Sequence, residues 1–388
     1  PAPKLSWAGA LKSFVNHLAG KLPGIMLWRL FLFLLMLWPG LAGAEGLRIA
    51  TLNTGLDRKG PGLLLRDIER GKAADVAYVI ETLDRIAPDI ILLTRFDYDY
   101  ELAALRALND RLAKPYPHLF AQRPNTGRPS GLDLDGDGRL GEPEDAISYG
   151  RFNGQNGMAI LSRLPFVHAD FRDFSALLWR DFPQARVPEG IFSTAALEKQ
   201  RLSTVGHWDI PVALPDGGRL YLWAYHASPP VFDGPEDRNG RRSADETQFW
   251  QSYLDGRLDT PARVPFVLMG NSNLDATLGE GLRSVMAALL ADPRLTDPAP
   301  TSEGGRALDH PLATVDWRGV VEPGAMRVDY VLPSADLTIL AAGIDWPELH
   351  PPQSGDDAAS RHHMVWVDIA LPNKAARPVR LDPPDATR

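Results

Sequence analysis

The stretch Arg263–Asp275 reads R-V-P-F-V-L-M-G-N-S-N-L-D. Val264–Met269 is a short, nearly unbroken apolar run, and it predicts a strand buried on both faces, the kind found in α/β proteins. The run breaks at Gly270 into Asn271, Ser272 and Asn273. A strand that ends abruptly in polar groups presents them at its C-terminal end, where α/β proteins tend to keep their sites. An Asn- and Ser-rich β-turn would read the same way. Other stretches with the same ending decide between the two.

Several follow in order. Leu47–Leu52 alternates as a strand and ends at Asn53; Lys72–Ala87 carries Val76, Val79, Ile80, Leu83 and Ile86 on one helical face, and Pro88 stops it. Asp89–Leu93 is a buried strand running into Thr94-Arg95-Phe96-Asp97, and Leu102, Leu105, Leu108 and Leu112 mark the next helix. Pro117–Gly154, rich in Gly and Asp, reads as a long functional loop. Further strands are expected at Met158–Ser162, Leu202–Gly206, Leu220–His226, Arg327–Leu332, Leu337–Ala342 and Met364–Leu371, with helices at Ser243–Leu254 and near Leu282–Leu290. Phe249, Trp250, Tyr253 and Trp366 are expected in the core. No repeat and no long linker divides the body.

The totals narrow the function. The 388 residues suit one large domain or two ordinary ones, and the absence of cysteine excludes a disulfide framework, a thiolate zinc site and a cysteine nucleophile. The formal net charge is −8, and residues 1–44 hold Lys4, Lys12, Lys21 and Arg29 but no acid, so the remainder is more acidic still. An acidic body argues against a general nucleic-acid-binding surface. Arg29, the apolar run Leu30–Trp38 and Ala42-Gly43-Ala44 have the layout of a secretory signal peptide. The expected organisation is an extension at 1–25, a signal peptide at 26–44, one domain over 45–372 and a flexible tail at 373–388. The mature chain would be periplasmic or secreted, with no membrane span.

The strand ends line up as a set: Asn53; Arg95; His226 in Y-H-A-S; Asn271 and Asn273 in G-N-S-N; Asp329 in R-V-D-Y-V; and Arg361-His362-His363 before the last strand. Their order and spacing resemble the endonuclease/exonuclease/phosphatase superfamily, over roughly Leu47 to Leu371. F-D-Y-D at Phe96–Asp99 and P-P-V-F-D-G-P-E-D-R-N-G-R-R at Pro229–Arg242 resemble an exported bacterial branch. The resemblance implies a four-layer α/β/β/α sandwich and a metal-dependent phosphoesterase site, with His226, His362 and Asp329 at catalytic positions and Asn53 and Asn273 on phosphate. It also implies a Glu where Arg95 stands, and Asp residues where Asn271 and Arg361 stand. Magnesium is held by oxygen ligands, usually carboxylates, and a guanidinium neither ligates a cation nor loses its charge. An amide at 271 cannot take a proton from water.

The expectation is a relative whose magnesium site is lost, binding a phosphate-type small anion through Asn53, Arg95, Asn271, Asn273 and Arg361. An active phosphodiesterase or phosphatase with an atypical site, and a structural surface protein, are the alternatives.

A separate pattern runs from Asp133 through Asp135, Asp137 and Arg139 to Glu144, matching D-x-D-x-D-G with Glu at the twelfth place. Alternate carboxylates around Gly138 suit one structural calcium ion. A solvated acidic loop is the plain alternative. Asp237–Arg242 either lines the cleft or braces its loop.

Overall fold

In the computed structural model, which describes residues 46–258, 260–319, 324–346 and 360–371, the apolar runs are central strands whose successive side chains enter different cores. Strand β1 (Gly46–Leu56) sends Leu47 and Ile49 to one side and Ala50 and Leu52 to the other. Strand β2 (Ile90–Phe96) divides Ile90 and Leu92 from Ile91 and Leu93 in the same way. Both parities are apolar because both faces are covered. The expected segments at 1–25, 26–44 and 373–388 lie outside the described residues.

The remaining strands are β3 (His118–Ala121), β4 (Gly157–Ser162), β5 (Arg172–Asp173), β6 (His207–Ala213), β7 (Arg219–His226), β8 (Phe266–Asn271), β9 (Val315–Asp316), β10 (Ala325–Met326), β11 (Asp329–Pro333), β12 (Ile339–Ile344) and β13 (Val365–Ala370). One sheet runs β12-β13-β1-β2-β4-β3, a second β11-β8-β7-β6-β5, and β9 pairs with β10. The pairs β1/β2 and β7/β8 are parallel. Each needs a helical crossover. Helices α1 (Leu63–Arg70) and α2 (Ala74–Ile86) supply the first, while α3 (Ala103–Asn109) follows β2. Helix α4 (Arg238–Leu254) supplies the second, and α5 (Arg283–Leu290) follows β8.

Ile49, Leu92, Leu222, Val267 and Val367 meet between the sheets. Val76, Val79 and Leu83 cover the first sheet, and Phe249, Trp250, Tyr253 and Met286 the second. The result is a four-layer α/β sandwich of two mixed sheets. Burying one Phe249-sized side chain contributes about 1.5–3 kcal/mol, so these outer clusters hold the helices on. No helix among the described residues is long and apolar enough to cross a membrane.

The parallel pairs place strand ends side by side. His226 is the register partner of Asn271, which in turn pairs with Asp329. Gly270 makes this close approach possible. Its φ is 146°, and a Cβ there would lie 2.0 Å from the Tyr225 carbonyl oxygen.

Three expectations differ from the structure, and one helix was not expected. Leu202–Gly206 is a bend, and β6 starts at His207. The backbone there is tied crosswise: Thr204 N–H donates to the Glu246 carboxylate, and the Ser203 carbonyl accepts from Asn125 Nδ2 at 2.8 Å. The stretch Pro117–Gly154 contains β3, paired with β4 and anchored by buried Phe120. Helix α1 was hidden behind the turn-like Gly60-Pro61-Gly62, where Gly62 takes φ 74° at the N-cap. Trp366 is half-buried on the outer face, with the Arg48 guanidinium 4.3 Å from its ring centroid.

Candidate functional site

Four of the strand-end residues form one hydrogen-bonded chain. Asn53 Nδ2 lies 3.3 Å from His362 Nε2. His362 Nδ1 lies 2.7 Å from Asp329 Oδ2. Asp329 Oδ1 accepts from Asn271 Nδ2 at 2.8 Å, and Thr314 Oγ1 donates to Oδ2 at 3.0 Å. Thr314 itself receives the N–H groups of Val328 and Asp329. Asn53, His226, Asn271, Asp329 and His362 are each at most 4% exposed. His226 completes the set from β7. Burial, then the charges of Arg95 and His362, hold its imidazole down to about 3.

Three polar atoms in this cluster are buried and lack a partner: Asn53 Oδ1, Asn271 Oδ1 and His226 Nδ1. Buried polar groups are nearly always paired in a finished interior, so such atoms ask for an explanation.

The two arginines behave differently. Arg95 sits at a bulge in β2 with φ 50°. Its Nε donates to Asp57 Oδ1 at 2.9 Å and its Nη2 to the same oxygen, which leaves three of the five N–H groups free of that contact. The Arg361 guanidinium instead donates to the Asp316 carbonyl at 3.3 Å. Asn273 spends its amide on the Ala227 carbonyl at 2.7 Å, with φ 53°. Sequence reasoning missed Thr314, Asp57 and Trp317, whose ring stands edge-on to His362 with centroids 5.6 Å apart. None carries a pattern that spacing could reveal, because each is defined by a neighbour on another strand.

The motifs at Phe96–Asp99 and Pro229–Arg242 brace loops. Asp97 accepts from the N–H of Arg58 at 2.8 Å and of Asn156 at 3.0 Å, and Asp99 caps α3 through Ala103 and Ala104. Asn239 Nδ2 donates to the Val231 carbonyl, and buried Arg242 stacks over Trp179 at 4.6 Å. Asp237–Arg242 therefore stabilises its own loop.

Residues 50–362 match the model of the Endonuclease/Exonuclease/phosphatase family. The chain belongs to this family. It is similar to an endonuclease/exonuclease/phosphatase from Beutenbergia cavernae, with 18% identity over 84% of this chain and 72% of that one and a TM-score of 0.50. It is also similar to sphingomyelinase C from Streptomyces griseocarneus (17% identity, 84% and 99% covered, TM-score 0.46). A third similar structure is the human Nocturnin catalytic domain with bound sulfate anion (15% identity, 84% and 93% covered, TM-score 0.45). Comparison with curated proteins returned no match.

Of the strand-end residues Asn53, Arg95, His226, Asn271, Asn273, Asp329, Arg361 and His362, only Asp329 carries a carboxylate. Among the described residues, one group of side chains brings three ligand atoms within 4.8 Å of one another: Asp133, Asp135 and Asp137, all exposed. Asp133 accepts from the N–H of Gly136 at 2.6 Å and of Gly138 at 2.9 Å. Glu144 is exposed and outside the group, and Arg139 turns its side chain to Glu142. Buried Asp145 braces the loop through the N–H groups of Leu134 and Gly141.

Proposed function

We propose that this family member binds a small phosphate-type anion and has lost the family's magnesium-dependent hydrolysis. The observation that carries the reading is the state of Asp329. It is the single carboxylate at the matched positions, and Asn271, Thr314 and His362 already engage both of its oxygens. Magnesium needs oxygen ligands in near-octahedral array, usually with one or two carboxylates. These residues do not fit that ion, and the Arg95 charge near His226 opposes any cation. The Arg95 guanidinium, with the N–H groups that Asp57 leaves free, suits an anion instead.

The test is a phosphomonoesterase and phosphodiesterase assay with and without magnesium or manganese. No metal-dependent turnover above buffer is expected; robust turnover would overturn the reading. Arg95→Ala should weaken phosphate binding by about 0.5–1 kcal/mol, because its side chain is 43% exposed and water screens the contact. Arg361→Ala should cost less, because its guanidinium faces the Asp316 carbonyl.

A second reading has one observation behind it. The His362–Asp329 contact at 2.7 Å is a base held by a carboxylate, an arrangement suited to acid–base chemistry without a metal. Turnover that survives chelation and is lost in His362→Gln would favour it.

Two further proposals concern the cell and the acidic loop. Export to the periplasm or medium rests on residues 26–44, and N-terminal sequencing of exported material should begin near Glu45. The Asp133–Asp137 loop is proposed to take one calcium ion with Asp133, Asp135 and Asp137. Titration calorimetry should give one site at millimolar or lower calcium, abolished by Asp135→Ala; absent heat in the wild type would leave a solvated turn.

A further inference from the structure

We propose that the pocket selects anions that carry a proton, phosphate and its monoesters, over anions that carry none, such as sulfate. This rests on the anion-binding reading above and adds a requirement to it. An amide side chain has a donor end and an acceptor end. A carboxylate can only accept, so the end of Asn271 that meets Asp329 Oδ1 at 2.8 Å is Nδ2. Chemistry thus settles the amide orientation.

Asn271 Oδ1 is the end left over. The residue is 0% exposed and this oxygen has no partner. Its register partner on β7 is His226, whose Nδ1 is likewise buried and unpartnered. Asn53 Oδ1 is the third such atom, on the amide whose other end meets His362. A ligand reaching Asn271 Oδ1 must offer it a donor. Sulfate near neutrality presents acceptors only, so it would set lone pair against lone pair and leave the carbonyl unsatisfied, a costly arrangement. A phosphomonoester monoanion holds its last proton up to about pH 6, and hydrogen phosphate holds one at neutrality. That P–O–H can donate to Asn271 Oδ1 while other oxygens accept from the N–H groups of Arg95 that Asp57 leaves free.

The experiment is titration calorimetry of the wild type with inorganic phosphate and with sulfate, at constant ionic strength, from about pH 6 to about pH 8.5. Arg95, Asp57, His226, Asp329 and His362 are the charged and titratable groups of this cluster, and they act on both anions. Toward about pH 8.5 both anions carry two negative charges and only hydrogen phosphate keeps a proton, so the ratio of affinities there isolates that proton. Phosphate should bind at least roughly tenfold tighter than sulfate at that pH. Because inorganic phosphate keeps a proton across the whole range, it should remain the tighter ligand throughout. Asn271→Leu, checked by circular dichroism for retained fold, should bring the ratio toward one. Equal affinities at every pH would overturn the selectivity and leave anion binding standing. No binding of either anion would overturn both.

Discussion

Asn271→Asp should destabilise the protein by up to about 4 kcal/mol near pH 7, and the loss should shrink on acidification. The wild-type amide donates to Asp329 Oδ1 from 2.8 Å, so the substitution sets two carboxylates face to face in a buried place. Like charges that close cannot both ionise, and one of the pair would keep its proton well above the ordinary value near 3.8–3.9. Once protonated, the new carboxyl would donate to Asp329 much as the amide did. A carboxyl whose folded pKa is raised contributes its stability below the unfolded pKa and loses it as pH rises through that window. The deficit at about pH 5 should accordingly be about 1.5 kcal/mol, and larger near neutrality. Urea unfolding at both values measures it. A deficit that ignores pH would mean that the two side chains do not face each other. The Arg95→Glu, Asn271→Asp, Arg361→Asp triple variant should regain stability on adding magnesium, because a cation would hold the new carboxylates together. The single variant should gain little, with the Arg95 charge still in place.

Acid should unfold the wild type steeply, and two buried histidines and a half-buried one account for it. Burial pushes His207 down to about 4, and burial with nearby charge pushes His226 and His363 down to about 3, from an ordinary 6.5. The folded chain refuses protons that the unfolded chain accepts. Their stabilisation is complete above about pH 6.5 and is lost as pH falls toward 3, at about 1.4 kcal/mol per pH unit for each. Asp97 and Glu246 act in the opposite sense. Burial raises both to about 7, so they favour the fold at low pH and lose that contribution between about pH 4 and pH 7. Three groups oppose two down to about pH 4.5, which gives a shallow decline. Below that the carboxylates no longer offset, and stability should drop by up to about 4 kcal/mol per pH unit. Denaturant midpoints across the range measure the curve. His363→Gln should flatten the acid limb, whereas a wild-type curve level from about pH 6.5 to about pH 3.5 would show that the imidazoles protonate within the fold.

The layers were legible because doubly buried strands leave a recognisable mark. Val264–Met269 and Asp89–Leu93 lack alternation, and in the structure Phe266 and Leu268 enter one core while Val267 and Met269 enter another. The site's frame was legible for the same reason: Asn53, His226 and Asn271 sit where an apolar run stops, and Asp329 where one begins. What the side chains do there was not. The Arg95–Asp57 contact spans 38 residues and exists because β1 and β2 run parallel with bulges at their ends. Arg361 and His362 are sequence neighbours, yet the first turns to the Asp316 carbonyl and the second to Asp329. Thr314, which supplies three of the hydrogen bonds around Asp329, lies in an ordinary A-T-V-D stretch. Leu202–Gly206 looked like a strand because its apolar content was visible and the carboxylate of Glu246 waiting for its backbone was not.

The contact at Gly270 separates two kinds of freedom in this molecule. With the Tyr225 carbonyl 2.0 Å from where a side chain would begin, that position admits hydrogen alone. The spacing between the ends of β7 and β8 is therefore set by main chain, and the groups mounted there inherit their separation whatever they are. A chassis of this sort tolerates a change of fittings. Side chains of different kinds can stand at 95 and 271 without the mounting points moving. The same chassis could be refitted in the laboratory: substitutions at 95, 271 and 361 explore new chemistry at fixed distances, while any substitution at 270 alters every distance at once.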